Sequence, residues 1–365
     1  MDYPASLYMH TFNLLPQFGP ARLVRLSRYF ENWQTAFHAG PEELTAAGIE
    51  EPLAAIFVRH RDSLDLEVEQ EKLSESDIGL INYSDKNYPK LLLEIAKFPP
   101  LLYCRGAMVD SDELSVAVVG TRMVTGYGRA VTPRLIEPLA AAGVTIVSGL
   151  AFGIDSLAHT SAINTRGRTI AILGGGLDDK SLYPKAHALL ADRILDCGGA
   201  LLSEYPPGTP NFKQHFVARN RIISGMSLAT VVIESDLKSG SLITAKYALE
   251  QNRAVYAVPG PIYSRQSQGP NNLIKMGARP VTDAKEILED LNVGFAFQAQ
   301  EPPRLSGDSP AESLLLKTIS LEPMHINEIV KQTELSAADA SSALTFLEMK
   351  GKIRNLGGQQ YILSR

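Results

Sequence analysis

Lys213, His215, Arg219 and Arg221 lie in a window, residues 205–225, that contains no Asp or Glu, in a chain whose formal net charge is −5. A run of basic side chains with no carboxylate among them is a local trap for anions. Just downstream, Lys238-Ser-Gly-Ser241 opens a helical pattern directly after Ala229-Thr-Val-Val-Ile-Glu234, a β-branched apolar run of strand length. A strand feeding a helix in this way presents unpaired backbone N–H groups and the positive end of the helix dipole, and Gly240 lets a ligand approach the backbone. The chemistry this predicts is phosphate binding at Ser239, Gly240 and Ser241. The plainer reading is that Ser239 and Ser241 only cap a helix, and the acid-free basic window upstream turns the balance toward a ligand.

Such a loop has to be carried by a sheet. After the helix, Ala254-Val-Tyr-Ala-Val258 returns as a second strand, which makes a βαβ unit whose loop lies on the carboxyl edge, where open α/β sheets bind ligands. Earlier segments repeat the pattern of strand, glycine turn and helix. Val116-Ala-Val-Val119 runs into Gly120-Thr-Arg122, Thr145-Ile-Val-Ser148 into Gly149-Leu-Ala-Phe-Gly-Ile-Asp155, and Thr169-Ile-Ala-Ile-Leu173 into Gly174-Gly-Gly176. With Leu101-Leu-Tyr-Cys104 and Ala200-Leu-Leu-Ser203, these predict a mostly parallel sheet with helices on both faces, an α/β Rossmann-like core. No Gly-x-Gly-x-x-Gly occurs, because Val131 stands where the third glycine would follow Gly126 and Gly128, and no P-loop pattern occurs either. Dinucleotide and P-loop nucleotide binding lose their main support, so a phosphate here is held in another way.

A length of 365 residues predicts two or three domains at about 100–200 residues each. Residues 1–75 read as a small helical domain, of SAM-like or helix-hairpin-helix-like type, with Leu15-Pro-Gln-Phe-Gly-Pro20 as its turn; Gln17 occupies a place where the DNA-binding hairpin has a glycine, which favours a packing role. Residues 78–293 form the core. Residues 294–310, rich in Gln, Pro and Gly, read as a linker, and residues 311–365, with three helical stretches and a hairpin turning at Gly357-Gly358, as a winged helix. Its presumed recognition helix, residues 337–350, carries almost no positive charge, which favours protein contacts or weak duplex contact over groove reading. Two cysteines and seven scattered histidines exclude a disulfide framework and a Cys-rich zinc site, so no metal and no cofactor are expected. The apolar runs are too short for a membrane span, and Met1-Asp-Tyr-Pro lacks the basic and apolar regions of a leader, which places the chain in the cytoplasm. The acidic balance confines any nucleic-acid binding to a patch.

Ser115-Val-Ala-Val-Val-Gly-Thr-Arg122, Ser148-Gly-Leu-Ala-Phe-Gly-Ile-Asp155, Ser203-Glu-Tyr-Pro-Pro-Gly208, Phe216-Val-Ala-Arg-Asn-Arg-Ile-Ile-Ser224 and Ser239-Gly-Ser-Leu-Ile-Thr-Ala245 stand in this order along the core. Through these five motifs the chain resembles the bacterial DNA-processing DprA (Smf) family. The resemblance implies single-stranded DNA binding at a basic pocket of the α/β core, a homodimer formed through that core, and loading of the RecA recombinase on incoming DNA in natural transformation (competence). Carried over residue by residue, it places Arg122, Lys185, Lys213 and Arg219 in the DNA pocket, with Asn220, Arg221, Ser239, Gly240 and Ser241 beside them, and assigns no catalytic residue.

Several of these residues have a second reading. Arg122 at a strand end also suits an ion pair with Asp155 or Glu234, and Arg219 suits a cap on its own helix. Phe212, Phe216 and Tyr263 suit base stacking, whereas Phe212 and Phe216 at i, i+4 also suit a core. Residues 284–291 offer either a dimer contact or ordinary packing. The alternative function is a nucleotide-cleaving enzyme of the Rossmann-like phosphoribohydrolase type, but Thr244 and Tyr247 stand where that chemistry needs a carboxylate.

Overall fold

The computed structural model describes residues 3–293, 308–319, 324–355 and 357–363, so most of the expected linker, 294–307, lies outside the described residues. The chain divides into two units, Met1–Gly294 and Phe295–Arg365.

The first unit is built on a sheet of nine strands: β1 (Gly79–Asn82), β2 (Leu101–Gly106), β3 (Ser115–Val119), β4 (Thr145–Ser148), β5 (Thr169–Ile172), β6 (Ala200–Ser203), β7 (Ala229–Val232), β8 (Ala254–Ala257) and β9 (Arg279–Pro280). Their order is β1-β2-β6-β5-β4-β3-β7-β8-β9, parallel from β6 to β9 and antiparallel at β1 and β2. Strands β3 to β7 are buried along their whole length, which is why they read as continuous apolar runs rather than alternating ones. Alternate residues still part to opposite faces. Val116, Val118, Ile146 and Val231 pack with Leu135, Ile154 and Ile287 on one side, and Ala117, Val119, Val147 and Val232 with Ile222 and Ala245 on the other. Successive strands run outward from β3 to β6, and the chain then crosses back through the helix Lys213–Gly225 to β7 on the other flank of β3. This reversal puts a crevice at the carboxyl ends of the central strands.

The first 75 residues differ from the expectation of a separate module. Their helices share one hydrophobic core with the sheet, in which Leu7, Phe12, Phe18 and Phe57 join Leu101, Tyr103, Leu173 and Leu201. His10 Nδ1 lies 2.8 Å from the Tyr103 hydroxyl, and Asn13 donates to the Glu204 carbonyl at 3.0 Å. The turn expected at Leu15 to Pro20 buries Phe18 beside Phe12 and Phe57, and its Gln17 carbonyl accepts from Arg22.

The second unit has helices Pro310–Thr318, Ile326–Thr333 and Ala337–Met349 and a small antiparallel sheet of β10 (Met324–His325), β11 (Ile353–Asn355) and β12 (Gln360–Leu363), in the order β10-β12-β11. Leu315, Ile329, Leu344, Leu347 and Ile353 make its core, a winged-helix arrangement. The cation at the end of its third helix, Lys350, is paired with Asp308 and Glu312. No helix among the described residues is long and apolar enough to cross a membrane.

Candidate functional site

The turns after β3, β4, β5 and β7 converge on the carboxyl edge of the sheet. Glu234, buried just after β7, fixes the first of them at both ends. Its carbonyl accepts from the Thr121 N–H at 2.6 Å, and its carboxylate accepts from the Thr125 N–H at 3.0 Å and from the Thr125 hydroxyl. Arg122 projects from this clamped loop. It is exposed, its guanidinium lies 5.9 Å from the centre of the Phe216 ring, and among the described residues it makes no ion pair or hydrogen bond. The alternative of a pair with Asp155 or Glu234 is therefore not what the loop adopts. Asp155 is buried and accepts from the Ala151 N–H at 3.4 Å; burial pushes its pKa up, while Arg219, Arg122 and the backbone donors pull the other way.

Arg219 lies beneath this surface rather than on it. Its guanidinium donates to the Gly149 carbonyl at 2.7 Å and to the Ile172 carbonyl, and sits 5.9 Å from the Phe216 ring. Burial pushes its pKa down to about 10, so it stays charged at neutral pH and acts as a positive floor. Gly149 is required here, since a Cβ at that position would come within 2.2 Å of Arg219 Nη2. Arg221 corrects the expectation. Both of its terminal nitrogens bind the Glu204 carboxylate, at 2.9 and 2.7 Å, and its Nε donates to the Lys97 carbonyl at 2.8 Å. With Nη1 also donating to the Ala218 carbonyl at 3.2 Å, it is a buried ion-pair partner turned away from the edge.

Lys213 opens the helix Lys213–Gly225 and is exposed, with no ion pair among the described residues. A cation at a helix N-terminus opposes the dipole, so this placement is explained by a ligand better than by the helix itself. Lys185, also exposed, donates to the Asp179 carbonyl, a contact that leaves its charge unneutralised.

Ser239 does cap the helix Gly240–Glu250, and its hydroxyl lies 2.8 Å from that of Ser241, which in turn lies 2.8 Å from that of Ser235. Asn220 donates to the Gly240 carbonyl at 3.3 Å, tying this loop to the basic helix. Gly240 itself faces open space, with nothing within 4 Å of where a Cβ would stand. The neighbouring carboxylate Asp236 is paired with Arg265 at 2.6 Å, which holds its pKa below the ordinary value. Thr244 and Tyr247 carry no carboxylate, and that of Glu234 is committed to Thr125, so none of these residues supplies a free carboxylate at this loop.

Sequence reasoning missed two aromatic residues. A narrow cleft at the same edge is bounded by Arg122, Phe152, Tyr183 and Phe216. Phe152 is 44% exposed and Tyr183 43%, and Tyr183 lies 5.5 Å from Phe216 between ring centres. The available signal was an aromatic residue inside a glycine-bounded turn after a strand. Of the aromatics singled out, Phe216 forms a wall of this cleft, Phe212 lies half exposed and edge-on to His215, and Tyr263, 94% exposed, does not line it. A second cavity, lined by Glu67, Glu71 and Glu75, has the wrong charge for a phosphate.

Comparison with known proteins adds to this geometry. Residues 79–292 match the family model for DNA recombination-mediator protein A, and residues 299–359 match that for the DprA winged helix domain. Protein Smf of Escherichia coli K12 is 38% identical over 299 residues, 80% of this chain and 79% of that one. DNA processing protein DprA of Bacillus subtilis is 43% identical over 218 residues, 60% of this chain and 72% of that one. The X-ray structure of DNA processing protein A from Streptococcus pneumoniae aligns with a TM-score of 0.67 at 33% identity, over 80% of this chain and 99% of that one. A structure of DNA processing protein A from Helicobacter pylori, described for its single-stranded DNA binding mode, aligns with a TM-score of 0.52 at 29% identity, over 60% of this chain and 97% of that one.

Proposed function

The chain belongs to the DNA recombination-mediator protein A (DprA, Smf) family, and from that membership and the site above we propose that it binds single-stranded DNA with little sequence preference and loads RecA on incoming DNA during natural transformation, without catalysis of its own. One observation carries the reading. Two exposed cations without an ion pair among the described residues, Arg122 and Lys213, share the edge with the open helix N-terminus at Gly240, and the neighbouring carboxylates are paired or buried. A helix N-terminus and unneutralised cations suit phosphates, and backbone phosphates carry no sequence information. On this reading Lys185, Ser239, Ser241 and Asn220 contact or shape the strand, Arg219 supports it electrostatically from below, and the core pairs as a homodimer.

The test is titration with an oligothymidine strand at two salt concentrations, for the intact protein and for the Arg122→Ala, Lys213→Ala double variant. Binding that weakens with salt and is abolished in the folded double variant supports the assignment. Undiminished binding by that variant moves the DNA site to another part of the chain. RecA loading is read separately, as faster RecA filament assembly on strands covered by single-strand binding protein, and light scattering reads the dimer.

A further inference from the structure

The helix that carries Lys213 begins without the devices that usually start a helix. Its N-cap is Phe212, which makes no side-chain cap hydrogen bond, its first turn holds no carboxylate, and its first residue is a cation set against the dipole. Rings hold this turn instead. His215 is stacked on Tyr205 with 4.1 Å between ring centres and 15° between planes, and Phe212 meets the same imidazole edge-on at 5.2 Å. His215 Nδ1 is buried with no hydrogen-bond partner among the described residues, so packing rather than that nitrogen fixes the imidazole.

Tyr205 belongs to Ser203-Glu-Tyr-Pro-Pro-Gly208, a motif that supplies no cation to the edge. Its residues reach in different directions. The Ser203 hydroxyl donates to the Gly175 carbonyl at 2.7 Å and accepts from the Tyr205 N–H at 3.0 Å, and the Gly208 N–H donates to Asp178 at 2.7 Å. The Glu204 carbonyl accepts from Asn13, the last residue of the helix Ala5–Asn13, at 3.0 Å. The same Asn13 amide reaches the Tyr103 hydroxyl at 3.2 Å, itself 2.8 Å from His10 Nδ1. Tyr205 is thus held from both sides along the chain, and from behind by the N-terminal helices.

We propose that Tyr205 is a positioning residue for the DNA site: by stacking on His215 it replaces the missing cap and holds the first turn where Lys213 meets a backbone phosphate, with Asn13 as the clamp behind it. The inference rests on the single-strand reading above and adds to it the part of the chain that aims Lys213. A ring suits this task better than an acid. An Asp at the cap would satisfy the helix but would neutralise the cation and repel the phosphate, whereas stacking holds the turn without charge. The buried pair of Arg221 with Glu204 lies six residues beyond His215, nearly two turns on, so it anchors the body of the helix and leaves the first turn to the rings.

The experiment titrates oligothymidine over a range of salt against the intact protein, Tyr205→Leu, Tyr205→Phe and Asn13→Ala, each also combined with Lys213→Ala, with urea unfolding to show that each variant is folded. Loss of the stack in Tyr205→Leu should weaken binding by about 2- to 10-fold, the worth of one ring pair. It should also move the log–log salt slope toward that of Lys213→Ala, by up to about 0.7. Tyr205→Phe keeps the ring face and should restore both, and Asn13→Ala should give a smaller loss of the same kind. Combined with Lys213→Ala, both losses should vanish, because the contact they act on is gone. A general loosening of the fold would instead lower affinity equally with and without Lys213. Should Tyr205→Leu fail to fold, His215→Leu removes the other face of the stack and carries the same comparison. An unchanged affinity or slope in the stack variant, or an equal loss with and without Lys213, overturns the positioning role while leaving the phosphate site intact, and Asn13→Ala binding as the intact protein does removes the clamp. If the intact protein itself fails to bind at low salt, the single-strand reading falls.

Discussion

Gly149 and Gly240 lie on the same edge of the sheet and are glycines for opposite reasons, which makes the pair Gly149→Ala and Gly240→Ala a sharp test. An ideal Cβ at Gly149 would stand 2.2, 2.4 and 2.7 Å from Nη2, Cζ and Nη1 of Arg219. That guanidinium is buried and bonded to two strand-end carbonyls, so it has no free direction in which to yield. Overpacking costs about 1–3 kcal/mol and disturbing hydrogen bonds to a charged donor about 1.5–3 kcal/mol, so Gly149→Ala should destabilise the first unit by about 2.5–6 kcal/mol. At Gly240 a Cβ meets nothing within 4 Å, and the residue begins a helix. There Ala should leave stability unchanged or raise it by up to about 1 kcal/mol, while screening the backbone N–H groups from a phosphate and weakening strand binding by about tenfold or more. Urea unfolding read by circular dichroism, alongside oligothymidine titration of both variants, gives the two quantities. Gly149→Ala unfolding with the parent protein, or Gly240→Ala binding as tightly as the parent, would show that these glycines are not placed for the reasons given.

Arg221→Met should cost about 3–5 kcal/mol, because it strands the buried Glu204 carboxylate, yet leave the salt slope of DNA binding unchanged; a shallower slope would return Arg221 to the DNA site. Arg122→Ala and Lys213→Ala should each reduce the magnitude of the log–log salt slope by about 0.7, the value for one phosphate on a single strand, with stability preserved. His159 gives a pH signature. Thr169 donates its hydroxyl to the Ile146 carbonyl, so His159 Nδ1 must carry the proton in its 2.7 Å contact with the Thr169 hydroxyl, and Nε2 is buried with no hydrogen-bond partner among the described residues. Burial, with Arg219 nearby, pushes the His159 pKa down to about 3 from the ordinary 6.5. The unfolded chain then takes up a proton that the folded one refuses, so this contribution to stability is complete above pH 6.5 and is lost as pH falls toward about 3. His159→Gln should flatten the loss seen in acid unfolding curves over that window, and an unchanged curve would remove His159 as its source.

The parallel core was legible because strands covered on both faces become unbroken runs such as Val116 to Val119, and because each strand ended in a glycine turn. The Ser239 to Ser241 loop was legible for the same reason, as a strand emptying into a helix start. What sequence could not separate was Arg219 from Arg221. Two residues apart on a helix, their side chains diverge by about 200°, so one reaches under the cleft and the other reaches Glu204. Glu204 stands one residue outside the acid-free window of 205–225, which is why that window read as uniformly unneutralised. Phe152 and Tyr183 were missed because loop residues follow no period, and their convergence depends on the lateral order of β4, β5 and β3. The fusion of the first 75 residues with the core was hidden likewise, since an apolar helical stripe does not say whether a helix or a sheet covers it.

Glu234 explains why a Rossmann-like sheet with glycines in its first turn does not present a nucleotide site there. In nucleotide-binding relatives of this architecture a pyrophosphate sits at the N-terminus of the helix after the first strand. Here the corresponding helix, Gly126–Ala141, has the Glu234 carboxylate bonded to Thr125 at its start, and a Cβ on Gly128 would come within 2.3 Å of Glu234 Oε2. Gly128 therefore makes room for a protein carboxylate, and a phosphate arriving there meets a like charge. The equivalent position one strand along, at Gly240, is open and has Lys238 and Lys213 exposed on neighbouring segments. Because the Glu234 carbonyl also fixes Thr121, the residue that closes the first position also sets the loop from which Arg122 projects. On the proposed function, anion binding is thus displaced from the first helix toward a broader edge with several separated cations, and a strand with phosphates at intervals matches that edge better than a single dinucleotide does.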